Sequence, residues 1–181
     1  MIIFILILIC VAVAGIYFYN KLVRLKMNMK EAFSGIDIQL KRRHNLIPNI
    51  VETVKGYSRH ESELLESVTR MRSELQGQTA PGRDIPKEND LSKSLKSIFA
   101  LVEAYPDLKA DKNFRQLQEN LIEIEDQLQY ARRYYNGTIR DYNILVQSFP
   151  SNLIANTFNF TKEEFFEIEY ATERKTPDVQ F

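Results

Sequence analysis

Hydrophobic positions fall into distinct regimes along the chain. From Ile2 to Tyr19 the run IIFILILICVAVAGIYFY carries no charged side chain. At about 1.5 Å per residue it reaches roughly 27 Å, close to the thickness of a bilayer core. It shows no polar face, which a buried core helix of this length would normally have. From Phe33 the pattern changes to a period of seven. One series is Phe33, Leu40, Ile47, Val54, Glu61, Val68, Leu75, and its companion is Ile36, Arg43, Ile50, Tyr57, Leu64, Met71. An a/d seam of this kind predicts a long helix facing other helices, over 21–76. Leu22, Leu25 and Met29 join it to the apolar run without a turn signal, so the two form one continuous helix.

Further along, Gly77–Glu88 (GQTAPGRDIPKE) is rich in Gly and Pro and predicts a loop over 77–88. Asn89-Asp90 offers an N-cap for a helix over 89–105, with a stripe of Leu91, Leu95, Ile98, Val102 and Tyr105. Pro106 ends it, and Asp107 is placed to cap a second long helix over 107–149. That helix carries the series Phe114, Leu121, Leu128, Tyr135, Tyr142, Phe149 and Leu117, Ile124, Ala131, Thr138, Leu145. Pro150 stops it. Thr161 and Glu164 have the spacing of a capping box, which predicts a short helix within the final segment 151–181, its aromatics packed across a bundle end. Pro48 and Gly56 lie inside the first long helix. The seam keeps its register across both, which predicts a kink rather than a break.

The fold class that follows is all-α. A transmembrane anchor over 1–20 continues into an antiparallel four-helix bundle with long helices over 21–181. Composition agrees. Lys+Arg and Asp+Glu are 24 each and there is one cysteine, which excludes a disulfide framework and argues against a nucleic-acid binder. The charge is unevenly laid out, with nine Lys/Arg against three Asp/Glu in 21–59. Tyr17, Tyr19, Lys21, Arg24, Lys26 and Lys30 form an aromatic and basic collar suited to the headgroup boundary. The positive-inside rule then puts the N-terminus outside and the C-terminal body in the cytoplasm. A cleaved signal peptide would need a basic n-region, which is missing. Apolar residues also continue past the cleavage-like triplet Ala12-Val13-Ala14, so the anchor is read as uncleaved. Cys10 does not complete a lipoprotein box, because Ile9 is bulky where a small residue is needed.

The residues with chemistry are few. His44 and His60 are sixteen positions apart and cannot share a metal ion from one helix, and position 64 is Leu where a zinc-protease motif needs a second His. In the basic run Lys41–His44, Arg43 falls on the seam and is expected to pair with a carboxylate of a neighbouring helix, for example within Glu119–Asp126. Asn45, Asn49, Asn136 and Asn143 sit inside long helices, where Asn is a poor former; they read either as interhelical hydrogen bonds or as a polar groove. Tyr130, Tyr134, Tyr135 and Tyr142 read as core at helical spacing. The kink region, with Arg43, His44, Asn45, Pro48 and Asn49, is the candidate interaction site. No cofactor, metal or catalytic residue is assigned.

Several segments together resemble the LemA family. They are IDIQLKRRHNLIPNIVETVKGYSRHE at 36–61, VEAYPDLKADKNFRQLQENL at 102–121, ARRYYNGTIRDYN at 131–143, FPSNLIANTFNF at 149–160 and the closing PDVQF. The resemblance implies a single N-terminal membrane span and a four-helix bundle, and it brings no reaction or ligand residues with it. The expected protein is a non-enzymatic, single-pass scaffold of the bacterial cell membrane. Its expected partners are membrane lipid, another membrane or envelope protein, or further copies of itself, and no nucleic acid. Two rival readings are a module binding anionic lipid or nucleotide through the basic stretch, and an enzyme with a site near His44.

Overall fold

The computed structural model describes residues 1–57 and 85–166. Every regular element among these residues is an α-helix: α1 Ile2–Tyr57, α2 Ile85–Val102, α3 Pro106–Ala110, α4 Lys112–Gln147 and α5 Ser151–Thr157. The sequence expectations for 58–84, including His60 and the distal seam, lie outside the described residues, as do those for 167–181.

α1 runs 56 residues without interruption and passes through Pro48. Its first part, 2–13, is exposed throughout, while Leu22, Met29, Ile36, Leu40, Ile47, Ile50 and Val54 are buried. Of the described seam positions, Ile36, Leu40, Arg43, Ile47, Ile50 and Val54 are buried and Phe33 is partly so. One α1 window is long and apolar enough to cross a membrane, and none of it is buried in protein.

The chain divides into two compact units. One comprises residues 1–35 and 130–166. Its core is built from Leu22 and Met29 of α1, Ile139, Tyr142 and Val146 of α4, and Ala155 of α5. The other comprises, among the described residues, 36–57 and 85–129. Its core gathers Ile47, Ile50 and Val54 of α1, Leu91, Leu95, Ile98 and Val102 of α2, then Leu108, Phe114 and Leu121. Each such side chain contributes roughly 1.5–3 kcal/mol by leaving water.

Four element boundaries differ from expectation, each for a local reason. α2 begins at Ile85, inside the expected loop, and Asn89-Asp90 is helical rather than a cap. Pro86 does not prevent this, because a first-turn residue needs no intrahelical N–H partner. The expected helix over 107–149 is two helices. Asp111 adopts an extended backbone after the short α3, and its Oδ1 accepts the Phe114 N–H at 2.8 Å, so Asp111 and not Asp107 caps the long helix. Segment 158–166 is not helical, so Thr161 and Glu164 form no capping box; the short helix here is Ser151–Thr157. Finally, Phe149 leaves the seam and is exposed, since α4 ends at Gln147.

Candidate functional site

The candidate kink region resolves into a buried ion cluster. Arg43 is fully buried on the seam of α1. Its Nη1 donates to Glu125 Oε1 of α4 at 2.9 Å and to Ser92 Oγ of α2 at 2.7 Å. Its Nη2 donates to Glu88 Oε2 and to the Glu88 carbonyl. Glu88, in the first turn of α2, is itself buried, and His44 Nε2 lies 3.3 Å from its second carboxylate oxygen. Burial pushes the Glu88 carboxyl up. The His44 contact and then the charges of Arg43 and His44 outweigh it and hold the carboxyl below its ordinary value. Carboxylates from two helices thus meet one guanidinium, and the start of a helix adds its dipole to Glu88. An arrangement of this kind positions helices: Ser92, Glu125 and Glu88 meet the Arg43 guanidinium, and His44 meets Glu88.

Glu125 lies within the acidic stretch that the sequence pointed to as the partner of Arg43. Glu88 was missed because its segment read as loop, and the signal that could have found it is an acidic residue one turn before the Leu91 stripe. The other members of the region behave differently. Asn45, Pro48 and Asn49 are exposed. Asn49 and Thr53 border an open depression of about 600 Å³ against Asp111 and Gln116. No group of three or more potential metal-ligating side chains occurs among the described residues.

The aromatic and basic residues read as a headgroup collar all lie along α1. Tyr17, Tyr19, Lys21, Arg24 and Lys30 are exposed and Lys26 partly so. The Lys21 ammonium sits 5.8 Å from the Tyr17 ring, and that of Lys26 sits 5.9 Å from the Phe160 ring. Tyr19 in turn packs against Phe158 with tilted rings and against Phe160 edge-on, with ring centroids 4.8 and 5.8 Å apart.

A third arrangement was only half anticipated. Asn136 and Asn143 do not bond across helices. Each clamps the main chain of the non-helical segment after α5. Asn136 Nδ2 donates to the Phe166 carbonyl at 3.1 Å, and its Oδ1 accepts the Phe166 N–H at 2.8 Å. Asn143 does the same to Glu163, at 2.9 and 3.0 Å. Seven helical residues advance about 10.5 Å, and three residues of extended chain advance about 10 Å. The spacing therefore brings each amide opposite a peptide unit, with the segment antiparallel to α4. Phe166 is buried there, its ring 5.1 Å from the Arg132 guanidinium. Burial, then the Glu163 carboxylate, raises the hydroxyl pKa of both Tyr135 and Tyr142. Of the four tyrosines expected in the core, Tyr142 is buried and Tyr135 partly so. Tyr130 and Tyr134 are exposed, because they lie off the seam.

These features can be set beside known proteins. Protein LemA of Metamycoplasma hominis is 27% identical over 97% of this chain and 82% of its own length. Magnetosome protein MamQ 2 of Paramagnetospirillum magneticum is 22% identical over 82% of this chain. Magnetosome protein MamQ of Magnetospirillum gryphiswaldense is 20% identical over a similar share. The match spans 64% of the length of each of these magnetosome proteins. The LemA family model matches residues 32–181, and the chain belongs to the LemA family.

Proposed function

We propose that this protein is a non-enzymatic, membrane-anchored scaffold, its body an antiparallel four-helix bundle that presents an interaction surface to another envelope protein or to further copies of itself. One observation carries this reading. α1 is a single helix whose apolar first part is exposed, and whose seam is buried from Leu22 onward. Such a helix fits a bilayer at one end and protein at the other. The relatives named as magnetosome proteins fit a membrane setting. The non-enzymatic part is supported by the inward commitment of Arg43, His44 and Glu88, which face one another. The collar residues Lys21, Arg24, Lys26 and Lys30 favour a cytoplasmic body and an outside N-terminus.

The test is photo-crosslinking in intact membranes, with a photoreactive residue at exposed Tyr134 and, as control, at buried Ile139. Capture of a discrete membrane protein or of a second copy from position 134 alone supports the scaffold. Recovery of the full-length chain in the soluble fraction, or equal labelling from both positions, overturns it. A reporter fused after Phe181 tests sidedness, and activity only outside the cell reverses the orientation.

A further inference from the structure

The corner between α4 and α5 is uncharged, carries exposed large apolar side chains and is seated against the candidate span. No charged side chain occurs from Tyr142 to Thr161. Within that stretch Phe149 is 80% exposed, Leu153 56% and Phe158 55%. Single exposed apolar residues are ordinary, but three large ones around one short helix are not. Their position supplies the explanation. A Cβ placed on Gly15 would lie 3.6 Å from Ile154 Cδ1, so α5 packs on α1 at Gly15. Gly15 belongs to the uncharged run and precedes Lys21, the first charged residue, by about 9 Å of helix. The Phe158 ring packs at a tilt against Tyr19, which is also part of that run.

We propose that this corner is a second membrane contact, in which Phe149, Leu153 and Phe158 enter the headgroup–acyl boundary beside the span. The inference rests on reading 2–19 as membrane-spanning and extends it to a part of the chain more than a hundred residues away in sequence. The level of Gly15 decides the occupant. If Lys21 sits among the headgroups, α5 lies at the hydrocarbon edge, where exposed apolar side chains are favourable and charges are not. The absence of Lys, Arg, Asp and Glu from the whole corner matches lipid better than the rim of a protein–protein patch, which is polar. The Lys26 ammonium over Phe160 marks where the apolar surface meets the headgroups.

The chain has no tryptophan, so a single introduced Trp is a clean reporter. Full-length Phe149→Trp, Leu153→Trp and Phe158→Trp variants would be reconstituted in phosphatidylcholine–phosphatidylglycerol vesicles. Quenching by lipids brominated near the top of the acyl chain would be compared with quenching by aqueous iodide. Val13→Trp serves as the span reporter and Tyr130→Trp as the exposed control. Several-fold stronger bromolipid quenching at the three corner positions than at 130, with little iodide quenching, is expected. Corner reporters that behave like position 130, while position 13 is lipid-quenched, overturn the proposal and leave the span intact. Corner reporters shielded from iodide but untouched by bromolipid also overturn it, since a protein then covers the corner. Failure of lipid quenching at position 13 itself overturns the span reading.

Discussion

Replacing Arg43 with methionine tests whether the buried ion cluster orders the helices as the geometry requires. Met fills much of the stem volume and removes the charge. Glu88 is then left buried, 2% exposed, with the His44 imidazole still 3.3 Å from its carboxylate. Removing one partner of a buried pair costs about 3–5 kcal/mol, because the other charge stays desolvated. Retention of His44 places the expected loss near the lower end, about 3 kcal/mol. Glu125 is a third exposed and can turn to solvent, so it adds little to the penalty. The double variant Arg43→Met, Glu88→Met removes both buried charges together. Its stability should return to within about 1 kcal/mol of the parent, since apolar replacements of buried pairs are often neutral. The assay is urea unfolding of the full-length chain in detergent micelles, followed by far-ultraviolet circular dichroism. A loss below about 1 kcal/mol for the single variant, or a double variant as unstable as the sum of the two singles, would refute the account.

Three further outcomes follow from other parts of the structure. Asn136→Ala and Asn143→Ala each strip two hydrogen bonds from the segment after α5, and each should cost about 1–3 kcal/mol of local stability. Hydrogen exchange should report this as faster exchange at the Phe166 and Glu163 amides, with little change in the Ile47–Leu95 core. Asp111→Ala removes the N-cap of α4 and should destabilise by about 1 kcal/mol in the same urea assay, with Asp111→Asn retaining most of the stability. Gly35→Ala places a methyl where nothing lies within 4 Å inside α1. It should raise the urea midpoint, by up to about 1 kcal/mol in stability, through helix propensity alone.

The heptad rhythm was the most legible feature of the chain, and the reason is physical. Leu40, Ile47 and Val54 repeat on one face of one helix, so local spacing alone dictates burial. Arg43 was legible for the same reason: a guanidinium on that face must find a carboxylate. What spacing could not give was the origin of the second carboxylate. Ile85-Pro86 reads as loop, yet the turn before the buried Leu91 and Leu95 is helical and brings Glu88 to Arg43. The Asn clamps were hidden more deeply. Asn136 and Asn143 showed themselves as polar intruders in a helix, but their ligand is main chain, which leaves no residue-type signature at Glu163 or Phe166. The capping-box reading of Thr161–Glu164 failed for the same reason, because the backbone N–H of Glu163 is satisfied by Asn143 instead of by a helix turn. Tyr130 and Tyr134 show the converse, since their residue type suggests core while their register places them off the seam and exposed.

The two units bury polarity by different chemistry, and this makes their acid responses separable. In the unit holding Arg43 the buried partner is an ionised carboxylate, whereas Asn136 and Asn143 are neutral amides bonded to backbone. The folded-state pKa of Glu88 lies below its unfolded value, about 4.3 for a free Glu. Near and below that value the unfolded chain binds more protons than the folded one, so stability increases with pH there. The contribution of Glu88 is thus complete above about pH 4.3 and is lost as pH falls through the lower folded value. The amide clamps themselves contain no titratable group, since their bonds run between side-chain amides and main chain. Protection factors measured by hydrogen exchange on acidification should therefore fall first at Leu91, Leu95 and Ile47, while the amides of Ile139, Tyr142 and Phe166 keep theirs. In Arg43→Met, Glu88→Met that selective loss should vanish. If both groups of amides lose protection together in the parent chain, or if the double variant keeps the selective loss, the carboxylate of Glu88 is not what makes the second unit acid-sensitive.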